Sequence, residues 1–182
     1  MNEEFPQLET ERLILRRLTM ADVEFVFQHF SDPMIYRYLM DEEPMTDRTQ
    51  AKGLVEFYLD PVGKSHNRWG IVLKATNALI GTCGFHKWDR QHYRAEIGYD
   101  LGHAHWGKGI MSEAIRVALA HGFENMQLNR VDAIVYSENT PSVRLLERLG
   151  FQEEGTLRDY YHWAGQFHDH SLFSLLRREW QR

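Results

Sequence analysis

Hydrophobic and polar residues alternate along several stretches of the chain in the way that is typical of β-strands. Such alternation predicts a first strand over residues 12–16 and another over 94–101. Residues 69–74 and 79–85 are two apolar runs, and Asn77 between them marks a turn, so these runs are predicted to pair as a hairpin. The strand pattern therefore extends across much of the first hundred residues.

Two helices are predicted before the closing part of the chain. Thr19 and Asp22 have the spacing of a capping box at the start of the first helix. Asp32 and Pro33 are predicted to end it, because a residue before proline avoids the helical conformation. The second helix is predicted to begin near Asp47. Their buried faces are predicted to comprise Val23, Val26, Phe27 and Phe30 in the first helix and Leu54, Val55 and Tyr58 in the second.

Residues 93–123 are predicted to form a strand, a glycine-containing loop and a helix. The start of a helix has main-chain N–H groups without partners and the positive end of the helix dipole, which together stabilise an anion. Gly107 and Gly109 let the backbone approach a phosphate closely. The loop is therefore a candidate phosphate-binding site, although the same spacing also occurs in ordinary tight turns. The apolar face of the helix is predicted to comprise Ile110, Ala114, Val117, Ala118 and His121.

The last third of the chain is predicted to contain a strand, a short helix and a hairpin. Residues 131–136 form the strand, and Pro141 fits the first turn of the helix, which Gly150 is predicted to end. Residues 151–163 and 167–177 are predicted to form the closing hairpin. Helices that alternate with strands and hairpins predict an α/β fold, a mixed sheet with helices on both faces.

Composition narrows the class of protein. With 182 residues, 43% of them hydrophobic and 26% charged, the chain is predicted to be one globular domain over residues 1–182. The net charge of −5 makes broad binding to nucleic acid unlikely and suits a cationic acceptor. The single cysteine, Cys83, excludes an internal disulfide, and no apolar run has the length of a membrane span. We therefore expect a cytoplasmic protein with no membrane partner.

Several segments together carry a resemblance to a known family. They are Leu8–Leu13, Ala95–Tyr99, Asn139–Ser142, Glu147–Phe151 and the closing Glu179–Trp180. In these segments the sequence resembles the GCN5-related N-acetyltransferase (GNAT) superfamily, and within it the branch that includes the bacterial ribosomal-protein N-terminal acetyltransferases. The resemblance implies a mostly antiparallel sheet in which two neighbouring parallel strands splay apart. By position, these are the strands that end near Leu101 and Tyr136.

The resemblance also implies acetyl-CoA as co-substrate, with its pantetheine arm in the gap between the splayed strands. The family's phosphate-loop pattern falls on Trp106, Gly109 and Met111. Tryptophan is usual at the first of these positions in this branch, whereas Met111 departs from the small residue expected. The implied cofactor-binding residues are Tyr99, Leu101, Trp106, Gly107, Lys108, Gly109, Ile110, Met111, Ser112 and Asn139.

Acetyl transfer to an amine requires removal of the amine proton and protonation of the leaving thiolate. Glu96 matches a glutamate common in this branch and is the candidate general base, directly or through water; its alternative role is an ion pair with Arg94 or another cation of the sheet. Many relatives place a tyrosine where this chain has Leu146. Ser142 matches a serine used in the resembled branch, and the resemblance therefore makes it the candidate general acid. Ser142 and Asn139 are equally placed to cap the short helix.

The acceptor is left open by the sequence. Tyr36, Tyr38 and Glu96 are candidate acceptor-binding residues, and the acidic residues 41–43 are placed to attract a cation; the tyrosines are also typical of core-edge positions and the acids of a solvated loop. The acceptor is either a protein N-terminus or a small amine such as a polyamine, amino sugar or aminoglycoside. Alternatives of another class are a catalytically silent acyl-CoA-binding module and a nucleotide-phosphate-binding protein, the latter disfavoured because no Lys-Ser or Lys-Thr ends the loop.

The ten histidines do not predict a metal site. His103 with His105 and His168 with His170 each place two imidazoles two positions apart, but no cysteine or carboxylate spacing completes a set of ligands. We therefore predict no metal. A homodimer is plausible from the family, and no stretch of the sequence identifies an interface.

Overall fold

The computed structural model describes residues 5–39, 43–61 and 63–180. The helices in these ranges are α1 (Val23–Phe30), α2 (Pro33–Tyr36), α3 (Arg48–Leu59), α4 (Ile110–Glu124) and α5 (Thr140–Arg148). The strands are β1 (Leu8–Glu9), β2 (Leu13–Arg17), β3 (Trp69–Leu73), β4 (Ala78–Asp89), β5 (Arg94–Leu101), β6 (Arg130–Tyr136), β7 (Gln152–Trp163) and β8 (Gln166–Leu176). Across these ranges, none of the helices has the length and apolar character needed to cross a bilayer.

The eight strands form one sheet in the order β1-β2-β3-β4-β5-β6-β8-β7. Neighbouring strands are antiparallel except β5 and β6, which are parallel. The predicted mixed, mostly antiparallel sheet is therefore confirmed. The predicted hairpins are also present, with Asn77 in a left-handed conformation (φ 55°) at the turn between β3 and β4.

The structure contains a two-residue strand and a four-residue helix that the sequence pattern did not predict. One is β1, which has two residues and pairs with β2. The other is α2. Pro33, which was expected only to end α1, is the first residue of this new helix. Proline is tolerated there because its missing N–H is not needed in the first turn, and the Asp32 carboxylate accepts a hydrogen bond from Met34 N at 2.8 Å.

Helix α4 packs against one face of the sheet and forms the main hydrophobic core with it. Its buried side is wider than predicted, because Ile115 and Leu119 are also fully buried. Val117, which was predicted on the buried face, is only half-buried. The helix approaches β4 closely at Gly122, where a Cβ atom would lie 2.8 Å from Phe85 Cζ. Only glycine fits this contact without displacing the phenylalanine.

Helices α1, α2 and α3 form a second apolar cluster, which includes Val26, Phe30, Tyr36 and Val55. From this layer His29 of α1 contacts Asp100 on β5. Alternate residues of a strand point to opposite faces, so Asp100 points away from the face that carries Ile97 and α4. Helices therefore cover both faces of the sheet, as predicted.

The parallel pair is joined over only part of its length. Residues 94–96 of β5 pair with residues 130–132 of β6, although β5 continues to Leu101 and β6 continues to Tyr136. Beyond Glu96 and Asp132 the two strands diverge. This splayed region is where the structure places the candidate site.

Candidate active site

The loop before α4 presents a row of main-chain amides. Trp106 N donates to His103 O, and Glu113 N donates to Gly109 O. Between these two bonds, no acceptor among the described residues receives the N–H groups of residues 107–112. Adjacent donors at the positive end of a 15-residue helix form a site for an anion such as a phosphate.

The conformation of this loop depends on glycine and on a distant ion pair. Gly107 and Gly109 have φ angles of 73° and 72°, in the left-handed region that glycine adopts without strain. Arg12 holds the loop from outside: Nη1 donates to Lys108 O at 3.0 Å, and Nε donates to the Glu113 carboxylate at 2.7 Å. Burial favours the neutral form of Glu113, but hydrogen bonds outweigh it and lower the pKa of this carboxyl group.

Two side chains of the loop donate hydrogen bonds to main-chain carbonyl groups of the preceding segment. Trp106 Nε1 donates to Leu101 O at 2.6 Å, which ties the loop to the end of β5. Met111 is 8% exposed and packs in the main core, and it also lines the cleft beside the loop. Lys108 Nζ donates to Ala104 O at 2.9 Å and therefore serves the loop itself.

The loop opens into a cleft of about 930 Å³ that follows the splayed ends of β5 and β6. One end is lined by the loop and α5, and the other by α1, α2, α3 and the polar side chains of β4 and β5. Lys108 is the one predicted site residue outside this lining. The predicted residues that line it are Tyr36, Tyr38, Glu96, Tyr99, Leu101, Trp106, Gly107, Gly109, Ile110, Met111, Ser112, Asn139 and Ser142.

A hydrogen bond joins the two sides of the splayed gap. Tyr99 Oη on β5 lies 2.6 Å from Ser142 Oγ in the first turn of α5. Asn139 caps this helix by accepting a hydrogen bond from Ser142 N at 3.2 Å, so capping falls to Asn139 while the serine hydroxyl contacts the tyrosine. Burial raises the pKa of Tyr99 to about 12, which keeps its phenol protonated at neutral pH. Leu146 is fully buried in the main core.

Glu96 lies at the last paired position before the strands diverge. Its Oε2 atom is 2.9 Å from Lys87 Nζ on β4. The partner is thus another cation of the sheet rather than Arg94, which lies near Asp89. The hydrogen bond to Glu96 raises the pKa of Lys87. Both side chains line the cleft, so the carboxylate and its ammonium partner face the same space.

The polar floor of the cleft contains a buried cluster that the sequence did not predict. Asp100 accepts hydrogen bonds from Arg68 Nη2 at 2.5 Å and from Thr82 N at 3.0 Å, and His29 Nε2 lies 2.7 Å away. The Asp100 side chain is only 2% exposed. Burial alone would raise its pKa, but His29 and Arg68 hold the pKa of Asp100 well below the usual value. Asp100 is thus a buried carboxylate whose charge is compensated by its neighbours.

His86 extends this cluster toward the cleft. Arg68 Nη1 lies 3.0 Å from His86 Nε2; a guanidinium can only donate, so this nitrogen accepts. Burial and the charge of Arg68 lower the pKa of His86 to about 3, so its imidazole is neutral at neutral pH. The ring lies over Gly98, where an added Cβ atom would be 3.2 Å from Nε2. Gly98 thereby makes room for His86 beside the splayed strands.

The candidate acceptor residues of the helical layer differ in their exposure. Tyr36 is buried and packs against Phe30, with ring centroids 6.5 Å apart, as a core-edge residue would. Tyr38 is half-buried and lies under the Arg37 guanidinium. In the acidic segment Glu43 is exposed, whereas residues 41 and 42 lie outside the described residues.

The remaining residues with reactive side chains, Cys83 and several histidines, are buried or make contacts within the fold. Cys83 is fully buried, and burial raises the pKa of its thiol to about 12, which makes it a poor nucleophile. Over the described ranges, histidine, cysteine and carboxylate side chains form no group of three that could hold a metal ion. His103 lies 3.1 Å from Asp32 Oδ2, and His168 and His170 pack against Tyr136.

Comparison with known proteins agrees with this geometry. The chain matches the family described as "Acetyltransferase (GNAT) domain" over residues 12–152. It is 46% identical over 174 residues to "Uncharacterized N-acetyltransferase p20" of Bacillus licheniformis, which covers 95% of this chain and 97% of that protein. It is 27% identical to the "[Ribosomal protein uS5]-alanine N-acetyltransferase" of Escherichia coli, over 96% of this chain and 92% of that protein.

A solved structure with the same architecture is that of a spermidine N-acetyltransferase from Vibrio cholerae in complex with CoA and spermine. Its TM-score is 0.83 at 26% identity, and the match covers 93% of this chain and 98% of that chain. The family match spans most of the sequence and includes the glycine loop, the splayed strands and the Tyr99–Ser142 contact described above. The chain therefore belongs to the GNAT family and is an N-acetyltransferase.

Proposed function

We propose that this N-acetyltransferase uses acetyl-CoA to acetylate a protein N-terminal amine, by direct attack of the amine on the thioester. The observation that carries the proposal is the row of amides of residues 107–112 at the mouth of a cleft that continues between splayed strands. The E. coli relative named for ribosomal protein uS5 supports this acceptor class. A small amine is the second candidate, since the V. cholerae relative is named for spermidine.

The chain's own residues suit the phosphates of coenzyme A. The amides of the loop offer donors that need no side chain, and their glycines leave no Cβ atom over the site. Arg144 and Arg148 of α5 also line the cleft and add positive charge near the loop. The sequence alone does not single out these arginines, because whether they face the cleft depends on how α5 packs in the folded chain.

In the proposed reaction, acetyl-CoA supplies an activated acetyl thioester when bound. The carboxylate of Glu96 takes the proton from the acceptor ammonium, directly or through water, which frees the nitrogen lone pair for attack on the carbonyl carbon. The C–N bond forms as the C–S bond breaks, and the nitrogen loses its second proton to solvent to give the neutral amide. The Ser142 hydroxyl donates a proton to the departing sulfur, the protonated Tyr99 phenol at 2.6 Å restores that proton, and Tyr99 regains its own proton from solvent.

Replacing Gly109 with Val is expected to weaken CoA binding about 10-fold. A β-branched residue in the left-handed region is strained by about 1–2 kcal/mol, and relief of that strain would turn the amides away from the phosphates. Isothermal titration calorimetry with CoA measures the effect. Gly63→Val is the matched control, because Gly63 has the same φ of 72° with open space around it and lies outside the cleft. Equal affinity in Gly109→Val and the wild type would contradict the phosphate-loop assignment.

Replacing Ser142 with Ala is expected to lower kcat by at least about 10-fold and to leave the dissociation constant of CoA nearly unchanged, because the hydroxyl acts only when the thiolate leaves. Tyr99→Phe is expected to lower kcat in the same direction, and the double variant to lose no more than the larger single loss, since the two hydroxyls act as one chain. Thr140→Ala, in the same helical turn, is the control. Full activity in Ser142→Ala would leave the serine a purely structural role.

The acceptor class is tested by offering the purified protein acetyl-CoA with a panel of acceptors. The panel contains peptides with free N-termini, the same peptides with blocked N-termini, spermidine and an aminoglycoside, and product mass is the readout. We expect a gain of one acetyl group on the free N-terminal peptides. Acetylation of spermidine in their place would establish the second candidate, and binding of CoA without acetylation of any amine would refute both.

A further inference from the structure

Lys87 reaches Glu96 only because strand β4 is irregular at this point. His86 pairs directly with Glu96 across β4 and β5, so these two side chains share a face of the sheet. Simple alternation would place Lys87 on the opposite face. Instead the register shifts between His86 and Asp89, and Lys87 has a φ of 49°. The bulge redirects the lysine, so that its Nζ atom lies 2.9 Å from Glu96 Oε2.

Stability does not explain this arrangement. The Lys87 side chain is 64% exposed and that of Glu96 is 22% exposed, and ion pairs at such exposure contribute little to folding. The left-handed conformation of a lysine is itself unfavourable, because its Cβ atom crowds the backbone. Strained residues of this kind cluster at functional sites. The lysine also lines the same cleft as the amide loop, which points to a role in the reaction.

The chemistry of the lysine suggests what that role is. Its side chain ends in a primary ammonium, the same group that an amine acceptor carries before it loses a proton. The Lys87 ammonium is already paired with the Glu96 carboxylate, which we assign as the general base. A cationic acceptor that approaches Glu96 must displace the ammonium of Lys87 or be repelled by it. An acceptor amine that is already neutral meets less resistance.

We propose that Lys87 is an internal competitor for Glu96 that selects weakly basic α-amines over alkylammonium acceptors. The inference rests on the proposed function. The α-amino group of a peptide has a pKa of about 8 and is partly neutral near pH 8, whereas an alkylamine with a pKa above about 10 is almost fully charged. Lys87 therefore disfavours polyamines more than it disfavours protein N-termini. It acts as a specificity-determining residue and takes no part in bond formation.

The kinetic test compares Lys87→Met, which removes the charge, with Lys87→Arg, which keeps it. In Lys87→Met we expect the KM for spermidine to fall about 3- to 5-fold, the KM for an N-terminal peptide to change less than about 2-fold, and the KM for acetyl-CoA to stay the same. Lys87→Arg should retain the wild-type preference. Lys52→Met is the control for net charge, because Lys52 pairs with Glu56 on α3 outside the cleft. Equal changes for both acceptors, or a higher KM for spermidine, would overturn the inference.

A binding test needs no turnover. Glutamate carboxyl groups labelled with ¹³C are followed by NMR while n-propylammonium is added, and the Glu96 signal is assigned from its loss in Glu96→Gln. We expect the dissociation constant of n-propylammonium at Glu96 to be about 3- to 5-fold lower in Lys87→Met than in the wild type. An unchanged constant would overturn the role of Lys87 even if amines are acetylated. Absence of acetylation with every amine would instead refute the proposed function. The dissociation constants of n-propylammonium would still show whether Lys87 competes for Glu96.

Discussion

Replacing Glu96 with Gln is expected to lower kcat for the acceptor by a factor of about 10² to 10⁴, the usual contribution of a positioned base. Glutamine has nearly the same shape and still accepts a hydrogen bond from Lys87, but it cannot take a proton from the acceptor ammonium. The affinity for CoA should remain unchanged, because Glu96 lies at the paired end of β5, away from the amide loop. Steady-state kinetics and calorimetry on the same preparation separate the two effects.

The loss in Glu96→Gln should be greatest at low pH, where the smallest fraction of the acceptor amine is already neutral. As the pH rises toward the pKa of the amine, the need for a base falls and the variant should approach the wild type. Glu56→Gln is the matched control, since Glu56 also pairs with a lysine but lies on α3 outside the cleft. A rate that equals that of the wild type at every pH would remove Glu96 from the mechanism.

Elements with a strong local pattern were predictable from the sequence. The strand from Arg94 to Leu101 and the helix after Gly109 follow from alternation, helical spacing and glycine chemistry, all of which act over a few neighbouring residues. The four residues of α2 are too few to show a period. Pro33 predicts the end of α1 because the residue before a proline avoids the helical conformation. Proline also fits the first turn of a new helix, where its missing N–H is not needed.

The row of main-chain amides before α4 was predictable, because the start of any helix leaves its first N–H groups without partners inside the helix. The cluster around Asp100 was not, because its partners are far away in the sequence: Thr82 is 18 positions away, Arg68 is 32 and His29 is 71. Alternation placed Asp100 on the same face as Glu96, but only the packing of α1 on that face shows it to be buried. That Lys87 is the cation paired with Glu96 was not predictable for a related reason. The bulge in β4 breaks the alternation from which the face of each strand residue is predicted.

Replacing Asp100 with Ala is expected to lower the free energy of unfolding by about 3–5 kcal/mol. Removing one partner of a buried ion pair leaves the other charge without compensation where it is largely desolvated. Here the charge left behind is the Arg68 guanidinium, 13% exposed, together with a Thr82 amide that loses its acceptor. Urea unfolding measures the loss, which should also displace His86, since Arg68 is the donor that His86 Nε2 accepts from.

Asp100→Asn keeps the size of the side chain and one acceptor oxygen, so a smaller loss of about 1–3 kcal/mol is expected, and this variant tests the idea if Asp100→Ala does not fold. Glu24→Ala is the control, because Glu24 forms an exposed ion pair with Arg48 and its loss should change the stability little.

The pH dependence of the stability gives a second readout. Because folding lowers the pKa of Asp100, its contribution is fully present above the ordinary aspartate pKa near 4 and is lost as the pH falls below it. The stability difference between the wild type and Asp100→Asn should therefore narrow on acidification from about pH 5, and a difference that stays constant or widens would show that the cluster does not depend on an ionised Asp100.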